Sequence, residues 1–235
     1  IDEIEYWINK GRTNFFCHDS IINGNAKWLR TFCERIIEKG WGGPGGITWG
    51  GNMRLQTPMR DLDTMRLYRK AGLIKFITGF ESASESVLRH MKKYTNREGT
   101  REIFENVRKV NEENKGTELE FPLLFGMQII VGYLNESDED FQKTLDFVEE
   151  FRDCMAEVVT CSVFLLHQTL LVKWRDDEKQ YLEYHNGVNF TTKWNTPMDR
   201  LDRLERAEEL FKKIERIKPD SSRKESREMY LLCRD

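Results

Sequence analysis

The chain has 235 residues, 37 Lys and Arg against 40 Asp and Glu, and a formal net charge of -3. That length holds one large domain or one domain with an appendage. Hydrophobic residues at 39% and charged residues at 33% exclude a disordered chain, the mixed charge leaves no basic footprint for nucleic acid, and no apolar run reaches the ~18–20 residues of a membrane helix.

Ile1 to Ile8 is amphipathic at helical spacing, and a start on Ile rather than Met reads as a piece cut from a longer protein. No signal peptide is read. The cysteines, Cys17, Cys33, Cys154, Cys161 and Cys233, are odd in number and scattered, with no CxxC, so free thiols in a reducing cytoplasm are expected rather than a zinc ribbon or disulfides.

Along the chain the apolar period switches between strand and helix. Thr13 to Cys17 reads as a short buried strand, and residues 26–39 as a helix with Leu29, Phe32, Cys33, Ile36 and Ile37 on one face. After the glycines of 40–46, Ile47 to Gly50 is the second strand. Thr57 suits an N-cap with Pro58 behind it, opening a helix that stops at Gly72. The third strand spans 73–79. Helices follow at 84–91 and 97–114, and the fourth strand spans 124–131. Ser137 caps a helix to about Asp153, and the fifth strand is placed at 158–166. Residues 173–198 are an aromatic-rich stretch of no clear period, and 199–217 is a strong helix whose charge-alternating outer face reads as solvated.

Strands apolar on both faces that alternate with helices mean a parallel sheet covered by helices, the α/β class. The fold expected is a partial (β/α) barrel over residues 1–172, then the irregular 173–198 connection and a helical extension over 199–235. Without a GxGxxG after the first strand, the dinucleotide-binding version is weakened. Ligands bind at the carboxyl ends of the strands in such folds, so the strand exits are the places to search.

Those exits read Cys17-His18-Asp19-Ser20, then Gly50 to Arg54, then Gly79-Phe80-Glu81-Ser82, then Gly132 to Ser137 with Gln128 inside the strand, and finally His167-Gln168-Thr169. Glu81, just after a glycine in an apolar run, can accept two hydrogen bonds from a diol; capping the next helix or pairing with a lysine is its structural alternative. Cys17, His18 and Asp19 are metal-ligand types, yet neighbouring strand residues point to opposite faces and do not converge. No metal ligands and no catalytic residues are assigned. His90, beside Arg89 and Lys92, reads as a surface histidine.

Two segments resemble the radical S-adenosylmethionine enzymes. Gly79-Phe80-Glu81-Ser82 with Leu88 to Thr95 resembles that family's GxES…L..M.K..T run, and Ile130 to Asp140 with Thr144-Leu145 resembles its IxGxPxET..D...TL segment. Asp19 before Asn23, Trp49 with Arg54, and Ala71-Gly72 match the subgroup that often carries an upstream cobalamin-binding domain. The resemblance covers about residues 1–170. It implies a partial (β/α)6 barrel, a CxxxCxxC loop holding a four-iron four-sulfur cluster, and a 5′-deoxyadenosyl radical that abstracts hydrogen from an organic substrate. It further implies that Glu81 contacts the ribose or methionyl part of S-adenosylmethionine, that Gln128 stands where relatives carry an acidic ribose contact, and that Lys93 meets the methionyl carboxylate. Asp19 and Arg54 join them at the cofactor mouth. An electron donor such as flavodoxin or ferredoxin is the implied partner.

This chain departs from the pattern. It has no CxxxCxxC, Leu134 replaces the family's proline, Gln128 is neutral, and His167-Gln168-Thr169 replaces Pro-Gly-Thr. The expectation is therefore a fragment of a radical enzyme of oxidoreductase, cyclase or methyltransferase type, lacking the first strand and the cluster loop and inactive alone. Two alternatives stand beside it: a cluster-free barrel serving as a binding or scaffold module, and an unrelated barrel lyase or hydrolase using Glu81 and His167.

Overall fold

In the computed structural model the strands β1 (Asn14–Cys17), β2 (Thr48–Asn52), β3 (Leu73–Glu81), β4 (Leu124–Ile130) and β5 (Met155–Cys161) form one sheet in that order, and every neighbouring pair is parallel. The residues described are 1–43, 46–93, 97–119, 121–133, 135–161, 182–183, 193–194, 205–210 and 212–213. Parallel pairing requires a crossover between strands, and helices supply each one. They are α2 (Ala26–Glu38), α3 (Leu62–Lys70), α4 (Glu85–His90) with α5 (Arg97–Glu113), and α6 (Asp138–Glu150). A short α1 (Asp2–Ile8) precedes them. The sheet is not closed into a full barrel among the described residues.

Local chemistry sets the helix ends. Asn25 accepts the Trp28 amide at 3.0 Å to start α2. Ser137 and Asp140 form a reciprocal capping box at α6, as the serine implies. Gly72, with φ +98°, follows the end of α3 and turns the chain into β3. The start of that helix differs from the sequence reading. Residues Thr57–Arg60 are a 3-10 turn, and the cap is Asp61. Its carboxylate accepts both the amide of Thr64 at 2.9 Å and the hydroxyl at 2.6 Å, a stronger arrangement than the Thr57 hydroxyl offers.

The fifth strand also starts earlier than expected. It follows directly on the 3-10 turn Arg152–Cys154, and Met155 is already buried. Glu157 interrupts the apolar run and hides those first residues from a search for continuous hydrophobicity. Residues 162–166 of the expected strand lie outside the described residues.

The two faces of the sheet differ. Trp49, Phe76, Phe80, Phe125, Met127 and Ile129 point to the helices and are buried with Leu29, Cys33, Ile36, Met65, Tyr68, Phe104, Val107, Phe147, Val148 and Phe151 in one core. The Trp49 indole nitrogen donates to the carbonyl of Ala71 at 2.9 Å, so this large ring is satisfied inside. The alternate residues, among them Phe16, Lys75, Ile77, Gly79 and Gln128, stand on the opposite, inner face and stay partly or wholly exposed. Phe16 is 42% exposed, so β1 is not the buried strand its composition suggests: it is an edge strand covered on one side only.

Beyond β5, residues 182–183 pair antiparallel with 193–194 inside the stretch read as irregular. Residues 205–210 are helical, and Ala207 and Leu210 join the main core. Most of the 173–198 connection and of the 199–235 extension, and also His167 and Cys233, lie outside the described residues.

Candidate cofactor site at the strand exits

The third strand ends in an irregularity that aims one side chain. Gly79 pairs with Gln128, but Glu81 pairs with Ile129, so Phe80 is an extra residue in β3. Such a bulge bends a strand and re-aims the side chains beyond it. Glu81 has a φ of 65°, in the left-handed region that non-glycine residues enter at a cost of ~1–3 kcal/mol. Strain of this kind collects at functional sites.

The result is a carboxylate laid back over the sheet. A Cβ built on Gly79 would meet Glu81 Oε1 at 2.7 Å, so the carboxylate occupies the inner side of Gly79, where a side chain would otherwise stand. Gly79 and Gln128 are register partners on that side. The Gln128 side chain is exposed there and has no hydrogen-bond partner among the described residues. Lys93 Nζ, just past α4, reaches Glu81 Oε1 at 2.8 Å. Glu81 therefore pairs with a lysine, yet it does so on the inner face at the carboxyl end rather than against the outer helices.

The other two expected residues stand at neighbouring exits. Arg54 follows β2, and its backbone is pinned on both sides by the buried amide of Asn23. Asn23 Nδ2 donates to the Arg54 carbonyl at 2.8 Å, and the Arg54 amide donates to Asn23 Oδ1 at 2.8 Å. Gln56 Nε2 donates to the Asn23 carbonyl at 2.5 Å, closing the loop after β1 onto the loop after β2. The Arg54 side chain is left exposed. Asp19 is exposed after β1, where burial and then the Asp19 charge push the Cys17 thiol up. Among the described residues no hydrogen bond links Asp19 or the Arg54 side chain to the Glu81–Lys93 pair.

The exits of β3 and β4 are stitched together. Ser84 and Ser86 donate to Asp140 Oδ1 at 2.6 and 3.2 Å, and the Ala83 amide donates to Thr144 Oγ1 at 3.0 Å. Burial works against the Asp140 charge, but the hydroxyls of Ser84, Ser137 and Ser86 and the Ser137 amide outweigh it and hold the carboxyl down at about 2. Sequence reading passed over Asn23 and Asp140 as partners of this site. A buried amide carries no signal in the sequence, and Asp140, though it falls within the IxGxPxET..D...TL resemblance, has its partners Ser84 and Ser86 lying 56 and 54 residues away, where only the fold brings them together.

Among the described residues no group of three His, Cys, Asp or Glu side chains could hold a metal. Cys33 and Cys154 are buried in the outer core, and burial pushes both thiols up to about 12, which leaves them unionised and inert. At this mouth the Glu81 carboxylate and the Lys93 ammonium stand 2.8 Å apart. Its described residues do not carry thiolates for an iron–sulfur cluster.

These features bear comparison with known proteins. The chain is 33% identical over 145 residues to the anaerobic magnesium-protoporphyrin IX monomethyl ester cyclase of Cereibacter sphaeroides, a match covering 61% of this chain and 22% of the cyclase. The radical S-adenosylmethionine methyltransferase TsrM from Kitasatospora setae, whose structure holds cobalamin and a [4Fe-4S] cluster, superposes with a TM-score of 0.54 at 15% identity, covering 68% of this chain and 28% of TsrM. In sequence the chain is thus similar to the cyclase, and in fold to a radical S-adenosylmethionine enzyme. The cobalamin-dependent S-adenosylmethionine radical enzyme OxsB has the same fold, with a TM-score of 0.54 at 14% identity over 84% of this chain and 33% of OxsB. The chain thus spans about a fifth of the length of its curated relative. A different signal covers the carboxyl-terminal quarter: a family model described as FtsJ-like methyltransferase matches residues 178–235. Among the described residues no helix is long and apolar enough to cross a membrane.

Proposed function

We propose that this chain forms the S-adenosylmethionine-binding wall of a radical enzyme that modifies a tetrapyrrole ester, with Glu81, Gln128 and Lys93 as the cofactor contacts and Arg54 and Asp19 at the rim. The observation that carries the reading is the Glu81 carboxylate lying over Gly79 on the inner face, beside Gln128 and 2.8 Å from Lys93. A ribose diol needs an acceptor that does not move, and the bulge and the left-handed backbone supply that. Lys93 then has two roles: it holds Glu81 in place, and its remaining N–H groups are free to meet a carboxylate. Arg54, fixed through its backbone by Asn23, offers a second cation at the rim.

When bound together, S-adenosylmethionine, a four-iron four-sulfur cluster and an external electron donor such as flavodoxin or ferredoxin supply hydrogen-atom abstraction. The thiolates for that cluster would come from outside the described residues, as would a site for cobalamin, which the TsrM and OxsB structures hold. The chain's own residues orient the nucleoside, and the inner face, with Gly50 and Gly126 among its residues and the exposed Phe16 at its edge, is the surface proposed to meet a flat macrocycle. A tetrapyrrole is favoured over other organic substrates because the curated relative at 33% identity acts on magnesium-protoporphyrin IX monomethyl ester, as its name says.

The test is anaerobic reconstitution of the protein carrying this chain, with assay of 5′-deoxyadenosine in the presence of magnesium-protoporphyrin IX monomethyl ester. Release of 5′-deoxyadenosine that depends on the porphyrin is expected, and Glu81→Gln should lower affinity for S-adenosylmethionine about tenfold, roughly 1.4 kcal/mol. Unchanged affinity in that variant overturns the assignment of Glu81. A second reading, methyl transfer in place of ring closure, is favoured by the match at residues 178–235, and formation of S-adenosylhomocysteine in the same assay would select it.

A further inference from the structure

Glu136 lies in the turn after β4, and its side chain is fully buried. Oε2 accepts the Gly132 amide at 2.7 Å and Arg206 Nη1 at 2.8 Å, while Oε1 is buried with no partner among the described residues. Arg206 comes from the helix at residues 205–210, 70 residues further along the chain, and is itself only 11% exposed. Its Nη1 also donates to the backbone carbonyls of Glu136 at 3.4 Å and Ser137 at 3.3 Å, its Nη2 bonds Asp138, and its guanidinium lies 5.2 Å from the Phe141 ring centroid. Ala207 and Leu210 anchor that helix in the core.

The same turn touches the cofactor mouth. The Tyr133 hydroxyl lies 3.3 Å from His90 Nδ1, and Asn135 Nδ2 donates to the Ser86 carbonyl at 3.4 Å. Both partners belong to α4, and Lys93 follows α4 directly. A continuous path of contacts therefore runs from Arg206 through Glu136 and Tyr133 to α4, Lys93 and Glu81.

We infer that Arg206 is a positioning residue of the cofactor mouth: by neutralising Glu136 it keeps the turn from Gly132 to Glu136 closed, and through that turn it sets α4 and Lys93. The inference rests on the reading of Glu81 and Lys93 as cofactor contacts. It makes part of the segment matched to a methyltransferase model a structural member of the five-stranded sheet's core.

The electrostatics give the inference a signature. Burial raises Glu136 above the usual carboxylate range, the Gly132 amide and Arg206 act against that, and Asp140 adds to it. Asp138 shares Arg206, and Lys143 answers Asp140 at 3.6 Å. Without Arg206 only the Gly132 amide would oppose burial, and Glu136 would move further up. A carboxyl raised in the folded state favours folding at low pH and loses that contribution as pH climbs through its folded value. The turn in Arg206→Ala should therefore open near neutral pH and close again on acidification.

The experiment uses the full chain with Arg206→Ala, Arg206→Lys, Glu136→Gln and the double variant, reading amide hydrogen exchange from about pH 5 to pH 8 and S-adenosylmethionine affinity by calorimetry. Arg206→Ala should speed exchange at residues 129–137 and 86–93 by roughly tenfold near pH 7.5, with protection returning near pH 5. Arg206→Lys should keep most of the protection. The double variant, Arg206→Ala with Glu136→Gln, should recover it, because a neutral carboxamide at position 136 needs no counter-charge, and affinity should follow the same order. Protection lost equally at both pH values, or not restored by Glu136→Gln, overturns the inference. If exchange behaves as stated but the wild-type chain binds no S-adenosylmethionine, the Arg206 hold on the turn stands and the cofactor reading falls.

Discussion

The same strands carry two different surfaces. On the helix side Phe125 stacks on Phe104 with ring centroids 3.9 Å apart and planes 6° from parallel, and Phe80, Phe147 and Phe151 close around them. On the other side, one residue along each strand, stand Phe16, Gly79 and Gln128, none of them buried. Strand geometry separates the two sets, since successive side chains leave a strand in opposite directions. The outer set fixes the sheet by packing. The inner set is released from packing and available for chemistry, so stability and binding should respond to different residues only one or three positions apart.

The sharpest break of that contrast is a paired substitution in β4. Phe125→Ala removes a fully buried ring from the stack and should cost ~3–5 kcal/mol in chemical denaturation. Gln128→Ala, three residues on and facing inward, should cost under ~0.5 kcal/mol while weakening S-adenosylmethionine binding. Equal losses of stability from the two would dissolve the distinction between the faces.

Asp140 joins the two exits from beneath and gives the next largest effect. Its carboxyl is held at about 2 against an ordinary 3.8, so it contributes about 2 kcal/mol that is present above the ordinary value and is lost as pH falls toward 2. Urea midpoints followed downward from pH 6 should show this loss in the wild type and a flatter profile in Asp140→Asn.

Gly79→Ala sharpens the contrast from the inner side. The added methyl would meet Glu81 Oε1 at 2.7 Å and displace that carboxylate, so affinity for the cofactor should fall about tenfold while stability drops by ~1 kcal/mol or less. An unchanged affinity would mean the Glu81 position over Gly79 is immaterial. Smallest of all, Lys93→Ala should cost only ~0.5–1 kcal/mol, because the Glu81–Lys93 pair is half exposed on its lysine side, and the cost should shrink in high salt.

Sequence patterns located the sheet because each strand combines β-forming residues with a helical crossover of a different period. Gly72 and Ser137 were readable as helix ends because their chemistry is local. Asp61 was not, since Thr57-Pro58 imitates a helix start and the true cap is settled by what Thr64 donates. Glu81 stood out as an acid after a glycine, but its turn over Gly79 depends on a bulge that only the register with β4 reveals. Arg206 was hidden for a different reason. It sits in a helix of alternating charge, which reads as a solvated face, and its buried partner Glu136 is remote in sequence.

That separation also orders events during synthesis. Glu136 leaves the ribosome 70 residues ahead of Arg206, a delay of about 4–14 s at ~5–20 residues per second. For that interval the first five strands can assemble, while the turn after β4 lacks its cation and a buried Glu136 is favoured only in its protonated form. On the inferred role of Arg206, closure of the turn after β4 is tied to the arrival of the helix at 205–210, and a nascent chain stalled before residue 206 would carry a folded sheet with that turn unfinished.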